Sequence, residues 1–399
     1  MLLLGASACT RTEPGLEVRE ISSPAGAASA QPELTVGGSG KVCLSWLERT
    51  RGGGHALRYA EWTGESWSAP RRVAEGETWF ANWADFPSVT ALDDGSLLAH
   101  WLQKTGDEPY AYAVMLSRSK DGGTTWSPPS SPHDASPTEH GFVSTVPLPD
   151  GRAAIVWLDG RETGGHEGGP GAMTLRSTLM DADGTFQRDD VLDPRVCDCC
   201  QTSASAVPGG GLLVAYRDRS EAEVRDISIV RSEGEAWSRP QPVSGDRWTI
   251  AGCPVNGPAV AARGDAVALA WFTGAGGGRG HVRVVHSSDR GRTFGAPVEV
   301  DLGEPLGRVD VVLLDDGTPL VSWIEGHADG GRIVVRRVPP DRPPGATLTV
   351  ASTSKERAAG FPRMAPAGST ILIAWPDPGE DRVRTAAIRF RVGRAPAVP

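Results

Sequence analysis

A short β-rich run ending in an aromatic recurs seven times along this chain: Val42-Cys43-Leu44-Ser45-Trp46, Leu97-Leu98-Ala99-His100-Trp101, Ala154-Ile155-Val156-Trp157, Leu213-Val214-Ala215-Tyr216, Ala268-Leu269-Ala270-Trp271, Leu320-Val321-Ser322-Trp323 and Leu372-Ile373-Ala374-Trp375. The closing aromatics stand 52 to 59 residues apart, the length of one four-stranded sheet with its turns. Upstream of them lie glycine turns such as Asp93-Asp94-Gly95 and Asp315-Asp316-Gly317, each preceded by another apolar run, which marks the hairpin of two inner strands. The expected fold is therefore all-β, a single β-propeller of four-stranded blades. Seven aromatics favour seven blades, with six as the alternative; the last unit shows three strands before Arg389-Phe390-Arg391. Residues 16–22 (Leu16-Glu17-Val18-Arg19-Glu20-Ile21 and Ser22) can supply its missing outer strand and so remove the free sheet edges.

A second signature stands in phase with the first. Ser119-Lys120-Asp121-Gly122-Gly123-Thr124-Thr125-Trp126 and Ser287-Ser288-Asp289-Arg290-Gly291-Arg292-Thr293-Phe294 share the pattern Ser-x-Asp-x-Gly-x-Thr-aromatic, with weaker copies at Gly64-Glu65-Ser66-Trp67 and Asp183-Gly184-Thr185-Phe186. An Asp accepting backbone N–H groups and a Gly at positive φ build a tight hairpin of this kind. In these turns the chain resembles the sialidase-like, or BNR-repeat (Asp-box), propeller superfamily from about residue 33 onward. The resemblance implies that the boxes lie on outer hairpins, away from the site, and that the chemistry is glycosidic.

Composition narrows the partners. The 399 residues carry a net charge of -9 with no basic block, so nucleic acid is not expected. No apolar run reaches the roughly 20 residues that span a bilayer. Met1-Leu2-Leu3-Leu4-Gly5-Ala6-Ser7-Ala8-Cys9 resembles the end of a bacterial lipoprotein signal, which implies lipidation of Cys9 and a place in the cell envelope, periplasmic or surface. Residues 1–30 then read as signal and flexible tether and 31–399 as the propeller, a monomer that meets a membrane only through its lipid.

In a propeller the loops leading into each innermost strand and those leaving each second strand open on one face. Polar residues and sulfur concentrate there. Catalytic candidates are Asp85, His140, Asp159, Tyr216, Asp218 and Asp310; candidates for gripping an acidic substrate are Arg161, Arg217, Arg219, Asn256, Arg308 and Arg363. A planar guanidinium pairs with a carboxylate through two charge-assisted hydrogen bonds, and the sialidase resemblance implies an arginine triad with a Tyr nucleophile. Its Arg-Ile-Pro motif is missing near the start of the propeller, and Tyr216 occupies a position filled by Trp in six other repeats. Cys197, Cys199, Cys200 and Cys253, with His140, form a candidate Cu or Zn site; structural disulfides are the alternative in an exported protein, and a reactive redox thiol a third. Cys43 lies within a strand and reads as core. Three functions follow: an exported propeller acting on or binding acidic glycans, an envelope soft-metal or redox protein, and a binding propeller without catalysis.

Overall fold

The computed structural model describes residues 15–164, 171–209, 211–234 and 236–390; Cys9 and its surroundings lie outside them. Seven antiparallel sheets succeed one another as seven blades, at residues 29–76, 88–119, 140–193, 203–242, 259–299, 305–353 and 363–390. The fold is a seven-bladed β-propeller. Five blades have four strands. In blade 2 the fourth is reduced to a single bridge between Leu116 and Ser130, because Pro128, Pro129 and Pro132 bring no N–H to a ladder. In blade 4 it is split into Ala236–Trp237 and Gln241–Pro242.

The fourth strand of blade 7 comes from the other end of the chain. Leu16–Ile21 pairs antiparallel with Arg382–Phe390, from Leu16 opposite Phe390 to Ile21 opposite Thr385, and the ion pair of Arg384 with Glu20 flanks the seam. Ring closure therefore joins the first and last strands of the described chain.

The repeated aromatics explain why the blades stay together. Each one lies in the apolar layer shared with the preceding blade: Trp101 with Leu57 and Tyr59, Trp157 with Val114 and Leu116, Tyr216 with Val156 and Leu175. Trp271 packs with Leu213 and Ile229, Trp323 with Val282 and Val284, Trp375 with Ile324 and Ile333. Trp46 meets Leu372 and Val383 of blade 7 and completes the circle. All seven are at most 4% exposed, and burying a side chain of this size contributes roughly 1.5–3 kcal/mol.

The two Ser-x-Asp turns have the same hydrogen-bond network. Asp121 accepts from the N–H groups of Thr124 and Thr125 and from the Thr125 hydroxyl; Asp289 accepts from Arg292, Thr293 and the Thr293 hydroxyl. Both turns join third to fourth strands, on the face opposite the loops that lead into the inner strands.

Candidate functional site

The loops on the functional face are first of all latches between neighbouring blades. Asp85 Oδ2 accepts the Phe142 N–H of blade 3 at 2.8 Å. Gln201 Oε1 accepts Gly257 N–H of blade 5 at 2.9 Å, Asn256 Oδ1 accepts Arg308 N–H of blade 6 at 2.7 Å, and Asp310 Oδ2 accepts Met364 N–H of blade 7 at 2.6 Å. Glycine is required beside two of them: a Cβ on Gly141 would meet Asp85 Oδ2 at 2.2 Å, and one on Gly307, at φ 78°, would meet Asn256 Oδ1 at 2.3 Å. Asp85, Asn256 and Asp310, read from sequence as catalytic or substrate-binding, are thus buried and committed to backbone. Asp85 keeps one oxygen, Oδ1, with no hydrogen-bond partner. Burial pushes its carboxyl up to about 7, against the pull of the Phe142 N–H.

These inner strands enclose a central cavity of about 470 Å³, lined from Glu33, Asp85 and Arg363 at the functional end to Gly37, Pro147 and Pro366 at the other. At the functional end it is roofed. Phe86, Phe142 and Phe361, from blades 2, 3 and 7, belong to one apolar cluster, and Gln201 Nε2 reaches across to donate to Ala84 O at 2.6 Å. Beneath the roof Arg363 pairs with Glu33 at 2.9 Å and stands 3.9 Å from Asp310. Burial raises Glu33 to about 7 despite Arg363. His100 is fixed between the Ser88 hydroxyl and Phe86 O, and burial holds it down at about 4.

Above the roof, half-buried Trp83 of blade 2 lies across the channel mouth, stacked on Phe361 at 5.6 Å. The Arg308 guanidinium stands 5.1 Å from its ring centroid and that of exposed Arg357 5.9 Å. Arg308 is 6% exposed. Its side chain donates to two backbone carbonyls, Glu356 O at 3.0 Å and Lys355 O at 3.4 Å, and no carboxylate of the described residues pairs with it. Desolvation lowers its pKa to about 10, opposed by the charge of Glu356. The outcome is a buried cation at the mouth of the channel with no carboxylate of the described residues within ion-pair distance, Glu356 acting on it only from farther off.

The other arginines are already partnered. Arg161 binds Asp159 at 2.6 Å and Asp189 at 2.7 Å; Arg219 binds Glu223 and Asp198; Arg217, 2% exposed, donates to Asn256 O, Arg225 O and Phe272 O. Asp159 is held by Trp157 Nε1 and Arg161, with His140 Nε2 at 3.5 Å. His140 is fully buried and stacks on His133 at 3.7 Å, its Nδ1 directed at Thr138 O and Tyr112 O. Its neighbours are therefore histidine, hydroxyl and carboxylate, and it does not join the cysteines. Tyr216 donates to Asp193 Oδ2 at 2.6 Å inside the interface of blades 3 and 4, and Asp218 caps the Arg219 N–H and the Ser228 hydroxyl. Tyr216 and the arginines do not converge on one open pocket.

The thiols do converge. Cys197 Sγ lies 3.4 Å from Cys200 Sγ and 3.9 Å from Cys199 Sγ, and all three sulfurs lie within 4.8 Å of one another. Cys253, in the corresponding loop of blade 5, is exposed and stands outside this trio, interacting with Cys199. Arg225 Nη1 donates to Cys197 Sγ at 3.2 Å, and the charge of Arg217 acts on Cys200. Burial works against ionisation of Cys197, yet hydrogen bonds from Cys199 and Cys200, together with Arg225, hold its thiol well below the ordinary range. Cys43 is buried in strand Val42–Arg49.

Sequence reasoning passed over Trp83, Arg357, Glu33 and Gln201. Trp83 and Gln201 stand in loops that lead into inner strands, and that position is the signal that marks them. Arg357, in a short 3-10 turn of the loop between Leu348–Thr353 and Arg363–Ala367, shares that signal, whereas Glu33, within a strand, carries none.

No protein-family model matches the chain, and no curated protein matches it in sequence. Solved structures share its fold. A Hadza microbial sialidase superposes with TM-score 0.53 at 17% identity, over 83% of this chain and 73% of that one. An ulvan lyase bound to a GlcA–Rha3S unit gives 0.54 at 13%, over 92% and 95%, and a protein of unknown function from Dyadobacter fermentans gives 0.51 at 15%, over 95% and 99%.

Proposed function

We propose that this propeller recognises acidic glycans at the roofed mouth of its channel, with Arg308 and Arg357 as the cations that meet a uronate, sialate or sulfate group. The observation that carries this reading is Arg308: a guanidinium 6% exposed, set against Trp83 and two carbonyls, with no paired carboxylate among the described residues. A buried cation left without an opposite charge is costly, and an anionic ligand group relieves that cost. Arg357 adds an exposed second charge beside the same indole, which suits a two-point grip on a planar carboxylate.

The reading is one of recognition. A Tyr nucleophile on the sialidase pattern is not supported by Tyr216, buried against Asp193. The apolar start ending at Cys9 supports an exported, lipid-held protein of the bacterial envelope.

Calorimetric titration with uronic-acid, sialylated and sulfated oligosaccharides, beside their neutral counterparts, tests this. Acidic ligands are expected to bind and neutral ones not. Arg308→Ala should weaken binding about 30-fold or more, the size of losing a buried charge partner. Arg357→Ala, on an exposed side chain, should weaken it several-fold while leaving the fold intact. Equal affinity for acidic and neutral sugars would refute the proposal.

A further inference from the structure

The structure assigns a second site to the same face: Cys197, Cys199, Cys200 and Cys253 form a thiolate cage for one closed-shell soft metal ion, Zn(II) or Cu(I), that staples blade 4 to blade 5. It is distinct from the glycan reading, since its ligands are sulfurs and neither Arg308 nor Trp83 is among them.

Geometry is the first support. Four sulfurs around an ion at about 2.3 Å stand roughly 3.8 Å apart. The distances of 3.4 Å and 3.9 Å from Cys197 to Cys200 and Cys199 already match the edges of such a tetrahedron. A disulfide brings two sulfurs to about 2.05 Å and leaves others out, whereas here one sulfur lies close to two at once. The segment Cys197-Asp198-Cys199-Cys200 leads into blade 4 between Val196, bridged to Asp218, and Thr202, bonded to Phe142 O, so its sulfurs are held by a rigid frame. Cys253, exposed in the loop that leads into blade 5, stands outside this compact trio but interacts with Cys199, and in the loaded site it would close in as the fourth ligand.

Charge is the second support. Four thiolates on a divalent ion leave two negative charges, and a cage 1–2% exposed at Cys197 and Cys200 tolerates them only beside cations. Two are present. Arg225 donates directly to Cys197 Sγ, and Arg217, saturated by carbonyls and without a paired carboxylate among the described residues, lends its charge to Cys200. Neutral disulfides would leave the Arg217 charge uncompensated. On loading, each sulfur that still carries a proton gives it to solvent as it takes the ion, and no electrons move.

The test uses the whole protein, reduced and then exposed to Zn(II) or Cu(I) in separate arms, desalted, and assayed by mass-spectrometric metal analysis. One equivalent per chain is expected in at least one arm, together with protection of four thiols from iodoacetamide; Co(II) in place of Zn(II) should give thiolate charge-transfer absorbance. Cys199→Ser and Cys253→Ser should each lower affinity at least tenfold, while Cys43→Ala should not. The alkylation count on the unmodified chain is a second readout that needs no variant to fold. Sub-stoichiometric retention in both arms overturns the proposal. So does recovery of two disulfides among these four cysteines from protein refolded in the presence of metal.

Discussion

Replacing Asp85 with Asn should make the propeller less sensitive to a rise in pH from acid to neutral. The carboxyl sits fully buried, with Oδ2 on the Phe142 N–H and Oδ1 without a partner, and its pKa rises from an ordinary 3.8 to about 7. Between those values the unfolded chain has released this proton and the folded chain still holds it. Folding therefore loses stability as pH climbs through that window and levels off above 7. Over about three pH units at 1.36 kcal/mol each, the loss amounts to roughly 4 kcal/mol. An asparagine side chain keeps an acceptor for Phe142 and does not titrate. Its amide, placed where Oδ1 stands, costs about 1–3 kcal/mol at every pH, so the slope rather than the offset carries the information. Urea unfolding of both proteins at pH 4, 5, 6, 7 and 8 gives the difference in stability at each pH. It should move in favour of the Asp85→Asn variant by a few kcal/mol between pH 4 and 7 and then stay constant. A difference independent of pH, or one that moves the other way, would refute the assignment of Asp85 as a buried latch.

Tyr216→Phe should cost about 1–3 kcal/mol in chemical denaturation by removing the donor to Asp193 Oδ2 in the blade 3–4 interface, the Arg195 N–H remaining on Oδ1, with acidic-glycan binding unchanged; loss of binding would return Tyr216 to the site. Gly307→Ala places a Cβ 2.3 Å from Asn256 Oδ1 at φ 78° and should destabilise by roughly 1–3 kcal/mol, read as a lowered melting temperature. Removing residues 1–22 uncovers the edge of Arg382–Phe390. Light scattering during a thermal ramp should then show earlier aggregation than in the full chain, and an unchanged profile would contradict the closing role of Leu16–Ile21.

Architecture was legible because it repeats: Trp46, Trp101 and their five counterparts mark one blade each, and every one of them plugs the interface to the blade before it. The face on which Asp85, Asn256, Arg308 and Cys197 gather was legible too, since connectivity alone dictates it. Their roles were not. Asp85 and Asp310 answer to backbone N–H groups of Phe142 and Met364, and a backbone donor has no letter in a sequence. Arg161 and Arg308 look alike as loop arginines, yet one is neutralised by Asp159 and Asp189 and the other faces carbonyls. That difference arises from partners brought together by the ring. The cysteines are the opposite case, three within four residues, so that their clustering was visible while the reach of Cys253 from the next blade depended on the fold.

The seam between Leu16–Ile21 and Arg382–Phe390 also orients the molecule. Leu16 lies opposite Phe390, at the end of a third strand that runs away from the arginine and cysteine loops. The chain thus enters the disc from the far side, at its rim. Leu16 therefore stands on the side of the Ser-x-Asp turns, while the loops that carry Arg308, Trp83 and the four cysteines open on the other side.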